Sequence, residues 1–292
     1  MFKYYGKHKN HSYFEGWYFK QQGEDGAVAL IPAIHTDSCG RRSASLQVIT
    51  PDGTDCFPYP AEAFQVNEKI RLGDCWFSEQ GIYLQAMRDK SSVYGQIQYS
   101  ALARPAYDIM GPFQWVPFMQ CRHGVYSMYH AVDGELFVNG KPYHFHHGTG
   151  YIEGDRGRAF PRQYLWTQCT RSAASIMFSA AQVPLGGVSL LGCIGFIYYR
   201  GKEQRFATYL GGKVAQMNAQ SLVIVQGDHQ IEVRELHHRA FPLHAPQNGD
   251  MGRIVHEGIS STVHYLWTYK GKVLLDLISP EASFEYGNIT TG

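Results

Sequence analysis

Hydrophobic residues along this chain seldom recur at the three-to-four-residue spacing of an amphipathic helix. They come in short runs rich in β-branched and aromatic residues, broken by turn signals, which is how strands read. "AVALIPAI", "SASLQVIT", "GIYLQAM" and "VYGQIQYS" fill much of the first third. "QYLWTQC", "ASIMFSAAQV", "LLGCIGFIYYR", "QRFATYL", "SLVIVQ", "HQIEVREL", "TVHYLWTY" and "KVLLDLIS" follow later. "PDGT" after Thr50 and "NGK" at Asn139 to Lys141 have the composition of hairpin turns, and the second joins "GELFV" to "PYHFHH". The pattern predicts an all-β chain of two β-barrel or β-sandwich domains. The Gly-, Arg- and Pro-rich "GDRGRAFPRQ" is the expected boundary, giving residues 1–155 and 156–292. "RPAYDIMGPFQWVPFM", from Arg104 to Met119, reads as a long loop.

One predicted strand is odd. "HSYFEGWYFKQQ" alternates Glu15, Trp17 and Phe19 with Phe14, Gly16 and Tyr18, so neither face is polar and a carboxylate sits among aromatics. Burial there would disfavour its charged form, raise its pKa and make it a proton donor near neutrality. The plainer reading is a structural glutamate satisfied by hydrogen bonds.

Composition sharpens this. Twenty Tyr and sixteen Phe favour strands over helix bundles. A net charge of +1 argues against a nucleic-acid partner. Only 17% of residues are charged, against roughly 25% in an average domain, which suits an uncharged surface or an apolar cavity. Six scattered cysteines without a C-x-x-C pair, and an opening "MFKYYGKHKN" unlike a signal peptide, suggest free thiols and a cytoplasmic location. "VSLLGCIGFIYY" is too short to span a bilayer. The dinucleotide, P-loop and nucleophile-elbow motifs are missing, and "VHEGIS" lacks the second histidine of a zincin.

Three further stretches could carry chemistry. In "GTGYIEGDRGRAFPRQYLWTQC", Tyr151, Glu153 and Asp155 share one strand face, and Tyr164, Trp166 and Gln168 share another. A solvated turn with ion pairs is the alternative. "YHFHH" puts His144 and His146 on one face, but no third ligand matches them, so no metal is expected and His146 is read as lining a pocket. "GPFQWVPFMQCRHG" offers Trp115, Phe113 and Phe118 as walls of an apolar cavity, or as a packed loop.

These residues resemble the tocopherol cyclase family. "YFEGWYFK" is similar to its N-terminal signature, and the block running from "PFQWVPFM" to "YLWTQC" is similar to its central one. The C-terminal "RIVHEGISSTVHYLWTYKGKVLLD" fits more loosely. The family pattern E-x-[DN]-W-G-x-x-FP keeps Glu153, Asp155, Gly157, Phe160 and Pro161 here, with Arg156 at the tryptophan position, where it fills or recharges the pocket. The resemblance implies two lipocalin-like domains around an apolar pocket, related to carotenoid hydratases and lipocalin-like pericyclases. It implies an intramolecular lyase or isomerase that cyclises a prenylated hydroquinone to a chromanol without cofactor or redox change. Glu15, Glu153 and Asp155 are then the candidate catalytic acids and bases, meeting in one cavity. Trp17, Trp115, His146, Tyr151, Trp166 and Arg156 are the candidate substrate contacts. The partner is a hydrophobic small molecule, with which peripheral membrane contact is compatible. A non-catalytic carrier of such a molecule is the alternative.

Overall fold

The computed structural model describes every residue except Met1, Phe118, Ser172, Ala173, Gly186, Gly187, Asn248 and 290–292; of Pro184, Leu185, Val188, Asp250 and Met251 it describes the backbone alone. The chain is nearly all β. Its strands are β1 (Tyr13–Gly23), β2 (Gly26–Thr36), β3 (Arg42–Thr50), β4 (Gly53–Pro60), β5 (Phe64–Val66), β6 (Ile70–Leu72), β7 (Cys75–Phe77), β8 (Gly81–Arg88), β9 (Ser91–Tyr99), β10 (Cys121–Val138) and β11 (Lys141–Gly157). Next come β12 (Tyr164–Arg171), β13 (Ala174–Leu185), β14 (Val188–Tyr199), β15 (Lys202–Ala207), β16 (Lys213–Asn218), β17 (Ser221–Gln226), β18 (His229–His237), β19 (Phe241–Gln247), β20 (Asp250–Tyr269) and β21 (Lys272–Gly287). Both predicted hairpins form: Thr50 pairs with Gly53, and Val138 with Lys141. Asn139 and Gly140 have φ of 53° and 80°, the left-handed pair that a two-residue turn demands.

Two antiparallel sheets result. The first runs β4-β3-β2-β1-β11-β10-β9-β8-β7-β6-β5; the second runs β15-β14-β13-β12-β21-β20-β18-β17-β16, with β19 on β20. Of the two expected forms, barrel or sandwich, the closed barrel is corrected: both sheets are open, since neither strand order closes into a ring. In the first sheet, edge strand β4 carries Pro58 and Pro60, which have no N–H to offer a further ladder. The opposite end tapers through the three-residue strands β5 to β7.

The chain divides into two compact units. One holds Met1–Pro105, Cys121–Ala159 and His244–Arg253; the other holds Ala106–Gln120, Phe160–Leu243 and Ile254–Gly292. In the first, Trp17, Phe19, Leu46, Phe57, Leu72 and Phe77 join one buried cluster. They come from both ends of the strand order, so the sheet curls over this inner face. Each fully buried Phe or Leu contributes roughly 1.5–3 kcal/mol. The second unit has its own core around Phe178, Phe206, Leu222, Tyr265 and Phe284. Among the described residues, no helix is long and apolar enough to cross a membrane.

Candidate functional site

The pairing of β1 with β11 sets Glu15 opposite Arg156, Gly16 opposite Asp155 and Tyr18 opposite Glu153. Directly paired residues share a sheet face. Glu15, Trp17 and Phe19 therefore face the inner side, and Glu153 and Asp155 the outer side with Gly16 and Tyr18. The predicted acids do lie on neighbouring strands, but the expectation of one shared cavity fails on parity: the register opposes an acid on β1 to a non-acid on β11.

On the inner face, Glu15 is an anchor for the N-terminal segment. Its Oε2 accepts from the backbone N–H of Tyr5 (2.9 Å) and of Gly6 (3.0 Å), and from the Tyr13 hydroxyl (2.8 Å). This seats Phe2, whose ring meets Phe19 and Tyr126 edge-on. Burial pushes the Glu15 pKa up to about 7 against the opposing pull of the Tyr13, Tyr5 and Gly6 hydrogen bonds and the Arg156 charge. Arg156 stacks on the Tyr5 ring at 4.0 Å. Trp17 is buried and stacked on Phe64.

The outer face carries a different constellation. Tyr151 donates its hydroxyl to Glu153 Oε2 at 2.5 Å. His123, brought from β10 to lie opposite Asp155, has Nε2 3.2 Å from that same Oε2 and Nδ1 3.1 Å from Asp155 Oδ1. The Nδ1 contact is an aligned hydrogen bond, whereas the Nε2 contact is a close ion pair. The Cys121 thiol lies 3.4 Å from Asp155 Oδ1. Burial alone would hold His123 neutral, yet Glu153 and Asp155 together raise its pKa well above the usual value. Burial and the Glu153 charge raise that of Tyr151. Asp155 is the accessible end, with 25% of its side chain exposed against 6% for Glu153.

One histidine and two carboxylates within 4.8 Å could also hold a cation. A metal wants all lone pairs converging on one point. Here the imidazole lies between the acids with one nitrogen toward each, which suits proton transfer better.

Beside this cluster the floor of the face is small. Gly16 is opposite Ala33 on β2, which is opposite Ser45 on β3. A Cβ at Gly16 would sit 3.2 Å from that of Ala33. A row of small residues therefore leads across the sheet face to the acid–histidine cluster, Ser45–Ala33–Gly16–Asp155–His123, a trough in the relief of that face with Ala33 and Ser45 buried. Its neighbouring rows carry Phe14 and His35 on one side and Tyr18 and Glu153 on the other. The segment His244–Arg253 is tied to this unit: Gln47 exchanges two 3.1 Å hydrogen bonds with the backbone of His244, and Gly249 donates to Arg158.

The remaining expected contacts lie elsewhere. His146 is exposed on β11, its ring stacked on His144, in an open groove with Gln96, Gln98, Asp133 and Glu135. Trp115 ends a 3-10 turn in the second unit and is 75% exposed, and Phe118 lies outside the described residues. Trp166 is buried in the second unit, opposite Glu285. Sequence reading missed His123, His35 and Ser45. The available signal for the first was a histidine in "CRHG", at the end of the stretch read as a cavity wall or a packed loop.

Neither a known protein family nor a curated protein matches the chain. Solved structures do match its fold, which is lipocalin-like. An AttH-like protein from Nitrosomonas europaea aligns with a TM-score of 0.54 and 10% identity, over 95% of this chain and 93% of that one. CghA in complex with Sch210972 aligns with a TM-score of 0.58 and 10% identity, over 96% and 89%. CghA in a further structure gives 0.57 and 10%, over 96% and 90%.

Proposed function

We propose that the trough of the first unit is the active site of a cofactor-independent, redox-neutral cyclase, and that its substrate is a prenylated hydroquinone or related isoprenoid closed to a chromanol. The observation that carries this reading is His123 held between Asp155 and Glu153, with Tyr151 behind. The fold likeness to CghA, solved with Sch210972, is compatible with it. So is the side-by-side pairing of the two segments that resemble tocopherol cyclase signatures.

The chemistry balances within one molecule of substrate. A carboxylic acid gives its proton to the prenyl alkene, forming a C–H bond and a tertiary cation. Aromatic faces stabilise that cation by about 0.5–2 kcal/mol each, a role open to Phe14 and Tyr18. The phenol oxygen forms the C–O bond and releases its proton to a carboxylate. Asp155, the accessible end of the cluster, is the donor, delivering the proton that His123 holds between the two carboxylates. His123 touches both carboxylates, so a proton collected at one is returned to the other, and the enzyme ends as it began. In this reading Glu15 anchors the N-terminal segment and takes no part in proton transfer.

Incubation with prenylhydroquinone in D2O tests this by mass spectrometry. The wild-type product should carry one non-exchangeable deuterium. Asp155→Asn should slow its formation by about 100-fold or more. A wild-type protein that binds the quinol and never converts it would overturn the enzyme reading in favour of a non-catalytic carrier.

A further inference from the structure

On the far side of the trough floor from Asp155, His35 and Ser45 form a pair the proposed reaction does not use. Both are buried, at 5% and 7% exposure, and His35 Nε2 lies 3.1 Å from Ser45 Oγ. The other ring nitrogen, Nδ1, is buried without a protein partner. Such an atom is rare enough in folded proteins to need a reason. The register places both side chains on the trough face, since His35 is opposite Phe14 and Ser45 opposite Ala33.

The chemistry of the pair narrows what could complete it. Burial pushes the His35 pKa down to about 4, so the ring is neutral near pH 7, with one donor and one acceptor nitrogen. The Ser45 hydroxyl can donate or accept, so either tautomer is open to the ring. A hydroxyl can complete Nδ1 in either tautomer, whereas an ether serves only the protonated nitrogen and an ammonium only the bare one.

We infer that His35 and Ser45 form a hydroxyl-binding subsite, which holds a phenol or alcohol group of the bound molecule over Gly16 and Ala33. The inference rests on the trough being a ligand site, and it adds a second polar contact distinct from the Asp155 end.

Two side-chain replacements separate this from a packing role. His35→Gln keeps a polar group near the Nε2 position, toward Ser45, and removes the one at Nδ1. His35→Asn keeps a group near Nδ1 and gives up the Ser45 contact. Calorimetric titration uses prenylhydroquinone and its dimethyl ether as probes, with thermal melting to check folding. Wild-type protein and His35→Asn should prefer the quinol by roughly tenfold. His35→Gln should lose that preference while binding the ether as before. A wild type that binds both probes equally, or a His35→Gln that keeps the preference, overturns the subsite, with an ordered water as the partner of Nδ1. A wild type that binds neither probe sinks the trough as a ligand site, and the subsite with it. Binding with discrimination but without turnover removes only the cyclase reading.

Discussion

Glu15 shows what a carboxylate among aromatics is for in this chain. The N-terminal segment folds back over the core, and its backbone N–H groups at Tyr5 and Gly6 need an acceptor where water is scarce. The residue's unusual setting was legible in the sequence, and its anchoring partners, whose backbone amides leave no pattern, were not. Its pKa of about 7 in the folded chain, against an ordinary 4.5, makes a signed prediction. Between those values the folded chain holds a proton that the unfolded chain has lost. Stability from this group therefore falls as pH rises from about 4.5 to 7, by up to about 3 kcal/mol. His35 and His130, pushed down to about 4 and about 3 by burial, act oppositely: their contribution is lost as pH falls below 6.5. The difference in unfolding free energy between wild type and Glu15→Gln cancels the histidines. Urea titrations should show that difference declining over the window; a flat difference would remove the shift.

Strands and turns were readable because alternation and turn chemistry are local. Strand faces were harder to read. β1 is buried on both sides, so its pattern cannot say which side holds the core. Register was harder still. Counting outward from the Asn139–Gly140 turn without interruption sets His123 opposite Arg156. Irregularities between Val125 and Ser127, Ser127 and His130, and Val132 and Gly134 move it opposite Asp155 instead. His147, at a φ of 52°, lies at one of them. A one-residue slip exchanges the two faces, so the acid–histidine contact depends on these bulges. The hairpin that starts the count should matter in proportion. Gly140→Ala places a Cβ at a φ of 80° and should cost about 1 kcal/mol, lowering Tm by about 2–4 °C. An unchanged Tm would mean that the bulges, rather than the turn, fix the register.

At the scale of the whole chain, the first unit is discontinuous: His244–Arg253 returns to a sheet whose strands all precede residue 158. A contact across nearly two hundred residues has no local signature, which is why no sequence pattern announced it. Its visible fastening is the Gln47 amide, which pairs with the backbone N–H and carbonyl of His244 as a strand would. Gln47 is 3% exposed, on the strand that also carries Ser45. Removing that amide leaves two backbone groups without their partner, at a cost of about 1–3 kcal/mol. Hydrogen exchange reads such a loss directly, because local opening governs protection there. Gln47→Ala should therefore speed exchange across His244–Arg253 by roughly 10- to 100-fold, with β16 to β18 of the second unit unchanged. If the segment covers the trough, the same variant should also release prenylhydroquinone faster, since opening would precede departure. Exchange that accelerates equally in β16 to β18 would mean that Gln47 supports the entire fold. Unchanged exchange at His244–Arg253 would place its fastening elsewhere, with the Gly249–Arg158 contact next in line.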